Sequence, residues 1–215
     1  MTTLKSDVGN MLAMLVHDLR NPTATLTANV DFLAEIEIAD PDGKEALDDL
    51  RTALQDIKAG LTRVSWIADG FLGRGDAMSR DGDVAASVIQ RYPVAQVQGE
   101  NHMAKGGATF ADVVAIFVES AERHDRRKTP ELFVIDDGDG VIVRVDAHGA
   151  PLREEFNERA FTLEGQEAIK GKAGGRYARY CGLLAASSYV EALGGTITPS
   201  EFDGRARTEL RLPRP

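Results

Sequence analysis

Apolar residues at Val8, Leu12, Leu15, Leu19, Leu26, Val30 and Leu33 step by four, three, four, seven, four and three positions. This heptad-like spacing predicts one long helix from about Val8 to Ile38. Pro22 falls inside it and is expected to kink it, because proline lacks a backbone donor and crowds the preceding turn. Ala39-Asp40-Pro41-Asp42-Gly43 is a strong breaker. A second run then steps by threes and fours through Leu47, Leu50, Leu54, Ile57, Leu61, Val64, Ile67 and Phe71. It stops in a stretch holding Gly70, Gly73 and Gly75. Two amphipathic helices joined by a short turn make an antiparallel hairpin, assigned here to residues 1–75. A lone hairpin leaves its seam in water. At roughly 25 cal/mol per Å² of apolar surface, the drive to cover it is large. A homodimer through a four-helix bundle is the expected solution.

From residue 76 onward the pattern changes. Val84 to Tyr92 reads as a short helix and Ala95 to Gly99 as a strand. Thr109 to Arg123 reads as a helix with Val113, Val114, Phe117 and Ala121 on one side. Leu132 to Ile135 and Val141 to Val145 flank Asp136-Asp137-Gly138-Asp139-Gly140, the pattern of a β-hairpin. Tyr180 to Leu193 reads as a helix stopped by Gly194-Gly195. Thr196 to Thr198 and Arg207 to Leu212 close the chain as strands. The expected class is α+β, a helical hairpin followed by an α/β sandwich over residues 76–215.

Composition narrows the function classes. The chain has 215 residues and a net charge of −9, and its one short basic stretch, Arg123 to Lys128, is interrupted by Asp125, so no nucleic-acid partner is expected. No apolar run approaches the ~18–20 residues that span a bilayer, and the N-terminus lacks a signal-peptide pattern. A cytoplasmic protein with no membrane partner is expected. The single cysteine, Cys181, excludes an internal disulfide and reads as a small buried residue. His102, His124 and His148 show no metal-ligand spacing, so no protein-held metal is expected.

The candidate chemistry sits at His17-Asp18-Leu19-Arg20-Asn21-Pro22. With Leu15 and Leu19 taken as seam residues, His17 lies on the outer face. An exposed imidazole keeps a neutral nitrogen able to attack a phosphoryl group. Asp18 can hold the other ring nitrogen and orient the ring. Asn21 lies one turn beyond Asp18 on the same side, where a carboxamide could orient a water.

The run Leu15-Val16-His17-Asp18-Leu19-Arg20-Asn21-Pro22 resembles the H-box of the dimerisation and histidine-phosphotransfer domain of histidine kinases. The resemblance implies that His17 is the phosphorylation site and that Asp18 assists transfer. It also implies that Asp18 and Asn21 form the phosphatase motif, and that the partners are response-regulator receiver domains.

Residues 84–213 are similar to the ATP-binding domain of the same family, with parts missing. Tyr189 to Ile197 resembles its final helix and strand entry, and Gly204 with Thr208 to Pro213 its last hairpin strand. The glycine-rich stretch falls on Tyr180-Cys181-Gly182-Leu183, where Gly182 remains and a tyrosine replaces the first glycine. The Asn box falls on Ile116 to Ala121, putting Ser120 at the magnesium-binding asparagine and Ile116 at the earlier one. Glu119 should point elsewhere on the helix. The adenine-binding loop falls on Asp146-Ala147-His148-Gly149-Ala150. The lid, about Thr162 to Arg179, keeps Lys170, Lys172 and Arg176. Asp146 and Gly182 are thus the vestiges of a cofactor site.

Three functions follow as expectations. The first is a dimeric histidine phosphotransferase that exchanges phosphoryl between His17 and receiver aspartates, without ATP and with magnesium supplied by the receiver. The second is a divergent kinase that autophosphorylates His17 with ATP. The third is a non-catalytic or phosphatase-type regulator that binds receivers and uses Asn21.

Overall fold

The computed structural model describes residues 2–36, 38, 40–75, 80–125, 128–151, 159–169 and 181–215. Ala39, Lys170, Lys172, Arg176 and Tyr180 lie outside the described residues.

Helix α1 spans Thr2–Glu35 and α2 spans Pro41–Phe71, packed antiparallel as a hairpin. The break falls just before Pro41, which opens α2 at a position where its missing N–H costs nothing. Asp42 and Gly43, expected to belong to the breaker, form the first turn of α2. Helix α1 runs on both sides of Pro22. Beyond it, the hydroxyls of Thr23, Thr25 and Thr27 donate to the carbonyls of Leu19, Asn21 and Thr23 at 2.7, 3.2 and 2.8 Å.

The apolar residues of α1 divide between two neighbouring stripes. Val16, Thr23 and Val30 are buried, and Val30 packs with Leu47 and Leu54 of α2. Met11, Leu15, Leu19, Leu26 and Leu33 are exposed on the adjacent stripe, as are Leu50 and Ile57 on α2. The single seam read from the sequence is therefore corrected: Leu15 and Leu19 do not face α2. Both stripes recur every three to four residues, so spacing alone does not separate them.

The second half contains β1 (Gly82–Asp83), α3 (Val84–Arg91), β2 (Gln96–Gln98), β3 (Met103–Ala104), α4 (Phe110–His124), β4 (Glu131–Asp136) and β5 (Gly140–Asp146). It continues with α5 (Leu163–Ile169), α6 (Gly182–Ala192), β6 (Thr196–Phe202) and β7 (Arg205–Pro213). Five strands form a sheet in the order β2-β4-β5-β7-β6, parallel only between β2 and β4. Strands β1 and β3 pair separately. The expected α+β class holds. The two-residue strands β1 and β3 escaped the sequence reading because two residues carry no period.

Period-two alternation explains how the sheet meets the helices. Val141, Val143 and Val145 of β5 and Leu210 and Leu212 of β7 are buried with Val113, Val114, Ile116 and Phe117 of α4. Ile142, Arg144 and Asp146 alternate onto the other face. The Asp137 to Asp139 turn closes the β4–β5 hairpin with Gly138 in the left-handed region, as its Asp-Gly pattern predicted. Cys181 departs from expectation: it is half-buried, left-handed at φ 52°, and precedes α6 as its N-cap.

The two halves share one core. Trp66, Ile67 and Ala68 of α2 cluster with α4, α6 and the sheet. The Trp66 ring lies 4.9 Å from Tyr189, a fully buried residue of α6 whose hydroxyl donates to the Gly106 carbonyl at 3.0 Å. A Cβ on Gly70 would stand 2.8 Å from the Ser188 Cβ, and one on Gly75 only 2.0 Å from the Ala192 carbonyl oxygen. These two glycines let the chain lie against α6. Arg63 of α2 adds an ion pair to Glu119 of α4 at 3.0 Å. Among the described residues, no helix is long and apolar enough to cross a membrane.

Trp66→Ala should cost roughly 3 kcal/mol or more, as for deletion of a large buried aromatic ring. Denaturant unfolding measures this; a loss below ~1 kcal/mol would show that the Trp66–Tyr189 contact does not join the halves.

Candidate functional site

Alternation around α1 places His17 next to the buried Val16 but outward, away from the Leu15 and Leu19 stripe. The side chains of His17 and Asp18 are each 79% exposed. His17 Nδ1 lies 3.2 Å from Asp18 Oδ1. The tautomer that makes this bond carries its proton on Nδ1. Nε2 then keeps its lone pair and points to solvent. The pair is a ring-orienting contact of the kind a nitrogen nucleophile needs.

Asn21 is exposed on the next turn. Pro22 has no N–H to offer the carbonyl four residues back, that of Asp18, so the helix ladder is open directly at the candidate site. The structure thus brings His17 and Asp18 into contact, with Asn21 one turn along.

An open groove beside His17 is lined by Asn10, Ala13, Met14, His17, Asp18 and Arg74. Arg74 comes from just beyond α2 and was not singled out from sequence. The available signal was an arginine set between Gly73 and Gly75, where a chain turns back. Beneath the groove, Arg20 reaches Ser65 at 3.4 Å and Ser65 reaches Asp69 at 3.5 Å. Burial raises the Asp69 carboxyl above its ordinary range, opposed by the charge of Arg74, the Ser65 hydroxyl and the charge of Arg20.

The residues matched to the family's nucleotide site are arranged differently. A cavity of about 100 Å³ lies between α4, α6 and the β5–β7 pair, lined chiefly by apolar groups that include Phe117, Val145, Ala147 and Leu183. Ser120 lines it. Ile116 is fully buried in the core. Glu119 is turned toward Arg63 of α2, as its place on the helix predicted. Gly182 is the first residue of α6 and is buried.

Asp146 follows Val145, so alternation puts it on the other sheet face from Val145, beside Arg207, which also lines the cavity. There both its carboxylate oxygens accept from Arg207, its cross-strand partner, at 2.7 Å each. The Arg144 Nε lies 3.5 Å away, and its guanidinium stacks 4.1 Å above the Phe133 ring. The alternation Val141, Val143, Val145 was the sequence signal for this orientation.

Among the described residues, no cluster of three or more His, Cys, Asp or Glu side chains could hold a metal ion. The rings of His102 and His148 meet the carbonyls of Gln98 and Thr129 at 3.0 and 3.1 Å.

No protein-family model matches the chain. In sequence it is similar to the sensor-type histidine kinase PrrB of Mycobacterium tuberculosis and of Mycobacterium bovis, 24% identical over 214 residues in each case. That match covers 94% of this chain and 47% of PrrB, so the chain spans about half the length of the curated relatives it matches. The solved structure of full-length ShkA in complex with AMPPNP superposes with a TM-score of 0.64 at 15% identity, covering 95% of this chain and 45% of ShkA. In fold and in sequence, the chain is histidine kinase-like: two long N-terminal helices followed by a domain with the fold of histidine kinase ATP-binding domains.

Proposed function

We propose that His17 carries a phosphoryl group in two-component signalling, exchanging it with receiver-domain aspartates of response regulators rather than taking it from ATP in the same chain. The observation that carries this reading is the outward His17–Asp18 pair at 3.2 Å, on a helix whose next turn presents Asn21. In the forward step the phosphoryl–oxygen bond of a receiver phosphoaspartate breaks and a bond from phosphorus to His17 Nε2 forms. The aspartate leaves as a carboxylate. Asp18 balances the positive charge that develops on the ring. The receiver supplies magnesium.

The residues at the position of the nucleotide are a poor match for magnesium and ATP, which supports a donor outside the chain. Magnesium needs several oxygen ligands around the phosphates, and Ile116 and Ser120 replace the family's two asparagines. Both carboxylate oxygens of Asp146 are already bound by Arg207.

The exposed stripe of Leu15, Leu19, Leu26 and Leu33, with Leu50 and Ile57 beside it, supports a homodimer that closes a four-helix bundle. A second reading, ATP-dependent autophosphorylation of His17, is favoured by the sensor-kinase relatives.

Phosphorylated receivers should transfer label to the wild-type chain in an acid-labile form that is lost in His17→Ala. If no cognate receiver phosphate ever reaches His17, the reading fails. In the separate hydrolysis of receiver phosphoaspartate by water, which releases inorganic phosphate, Asn21→Ala should slow loss of receiver phosphate about tenfold while leaving transfer to His17 in place, if Asn21 orients the hydrolytic water. Unchanged dephosphorylation would remove that role. Asp146→Asn should destabilise the fold by about 3 kcal/mol, because it strands the Arg207 charge. Calorimetric titration with ATP should give no binding heat in either form. A stable Asp146→Asn chain that had lost measurable ATP binding would instead restore Asp146 as a nucleotide anchor.

A further inference from the structure

The sequence Gly70-Phe71-Leu72-Gly73-Arg74-Gly75 ends α2 and begins the connection to the second half. Its backbone forms a defined cap. The N–H of Gly73 donates to the Gly70 carbonyl at 3.2 Å and the N–H of Arg74 to the Asp69 carbonyl at 2.9 Å. Gly73 is left-handed at φ 66°. This nested pair of bonds is the Schellman termination, which reverses the chain across the helix end. On the far side, Gly75 is pressed against the Ala192 carbonyl. Arg74 is therefore held at both neighbours, not carried on a free tether.

From that fixed point Arg74 lines the same groove as His17 and Asp18. Its charge is felt at Asp69, but among the described residues no carboxylate forms an ion pair with it. The groove thus joins an imidazole with a free nitrogen to an exposed guanidinium. A guanidinium offers paired donors that fit the oxygens of a phosphoryl group. A phosphoryl group on Nε2 brings about two negative charges into a groove otherwise holding the Asp18 carboxylate. A nearby cation offsets that charge in the product and, more strongly, in the transition state.

We propose that Arg74 is the phosphoryl-binding cation of the His17 site, placed there by the Gly73 cap and the Gly75 contact with α6. The assignment rests on reading His17 as a phosphoryl carrier. It gives the junction between the halves a chemical role: whatever moves the end of α2 off α6 withdraws a charge from His17.

The test uses phosphoramidate as the donor, so that neither a receiver nor ATP is needed. Its phosphorus–nitrogen bond breaks, ammonia leaves, and phosphorus bonds to His17 Nε2 while the ring keeps its Nδ1 proton against Asp18. Intact mass at alkaline pH, corrected by His17→Ala, gives the rate at His17 in the full chain. Arg74→Ala should react roughly tenfold more slowly, in line with loss of one charged stabilising contact. Arg74→Lys should keep part of the rate. Gly73→Ala should slow it as well, since alanine is strained at this φ although nothing lies within 4 Å of its Cβ. Thermal unfolding of Arg74→Ala at the wild-type midpoint separates lost chemistry from lost fold. A wild-type rate in Arg74→Ala overturns the arginine assignment while leaving His17 as carrier. No His17-dependent labelling of the wild-type chain overturns the carrier reading and this assignment together.

Discussion

The close seat of α2 on α6 is the constraint on which the rest of the molecule depends. Trp66 packs against Tyr189 with the rings tilted by 58°. Glycine at positions 70 and 75 removes the side chains that would hold the backbones apart. Arg63 reaches across to Glu119 on α4. With a buried aromatic pair at its centre, this contact merges the hairpin and the α/β half into one core. It fixes the direction in which the chain leaves α2, and hence what stands beside His17 on the antiparallel helix. The same contact holds Glu119, the carboxylate within the matched Asn box, on Arg63 of α2.

The two halves of the chain use their polar residues differently. The His17 turn keeps a ring nitrogen in water, a carboxylate on the other ring nitrogen, and an open helix ladder at Pro22. The second half keeps the sheet, the helices and the packing of a nucleotide-binding fold. Its charged residues, however, serve the fold. Asp146 neutralises Arg207 across the β5–β7 pair, both side chains largely buried, and Ile116 fills the core where the family's pattern has a polar ligand. A buried carboxylate doubly bonded to a guanidinium is worth most to the fold when left undisturbed.

Much of this was legible in the sequence where a period is long enough to read. The helices of the hairpin, the α4 face marked by Val113 and Phe117, and the β4–β5 hairpin with its Asp-Gly turn all follow from spacing. The exposure of His17 was read from Leu15 and Leu19 as seam residues; His17 is exposed, but the buried neighbour is Val16. Other features needed tertiary context. Leu15 and Val16 both belong to apolar stripes at helical spacing, and only the position of α2 decides which is buried. The orientation of Asp146 was present in the alternation of Val141, Val143 and Val145, but a motif match ignores parity. Arg74 carries no periodic signal at all; its position comes from a backbone cap and from a contact more than a hundred residues away in sequence.

A receiver, and not ATP bound in the same chain, is the phosphoryl donor proposed for His17. Presenting both donors together decides it: a receiver charged with phosphoryl of heavy oxygen, and magnesium-ATP of natural oxygen, with the mass of the group on the His17 peptide as the readout. Transfer from the receiver leaves heavy phosphoryl on His17 and none of natural mass. Natural-mass phosphoryl on His17 would contradict it.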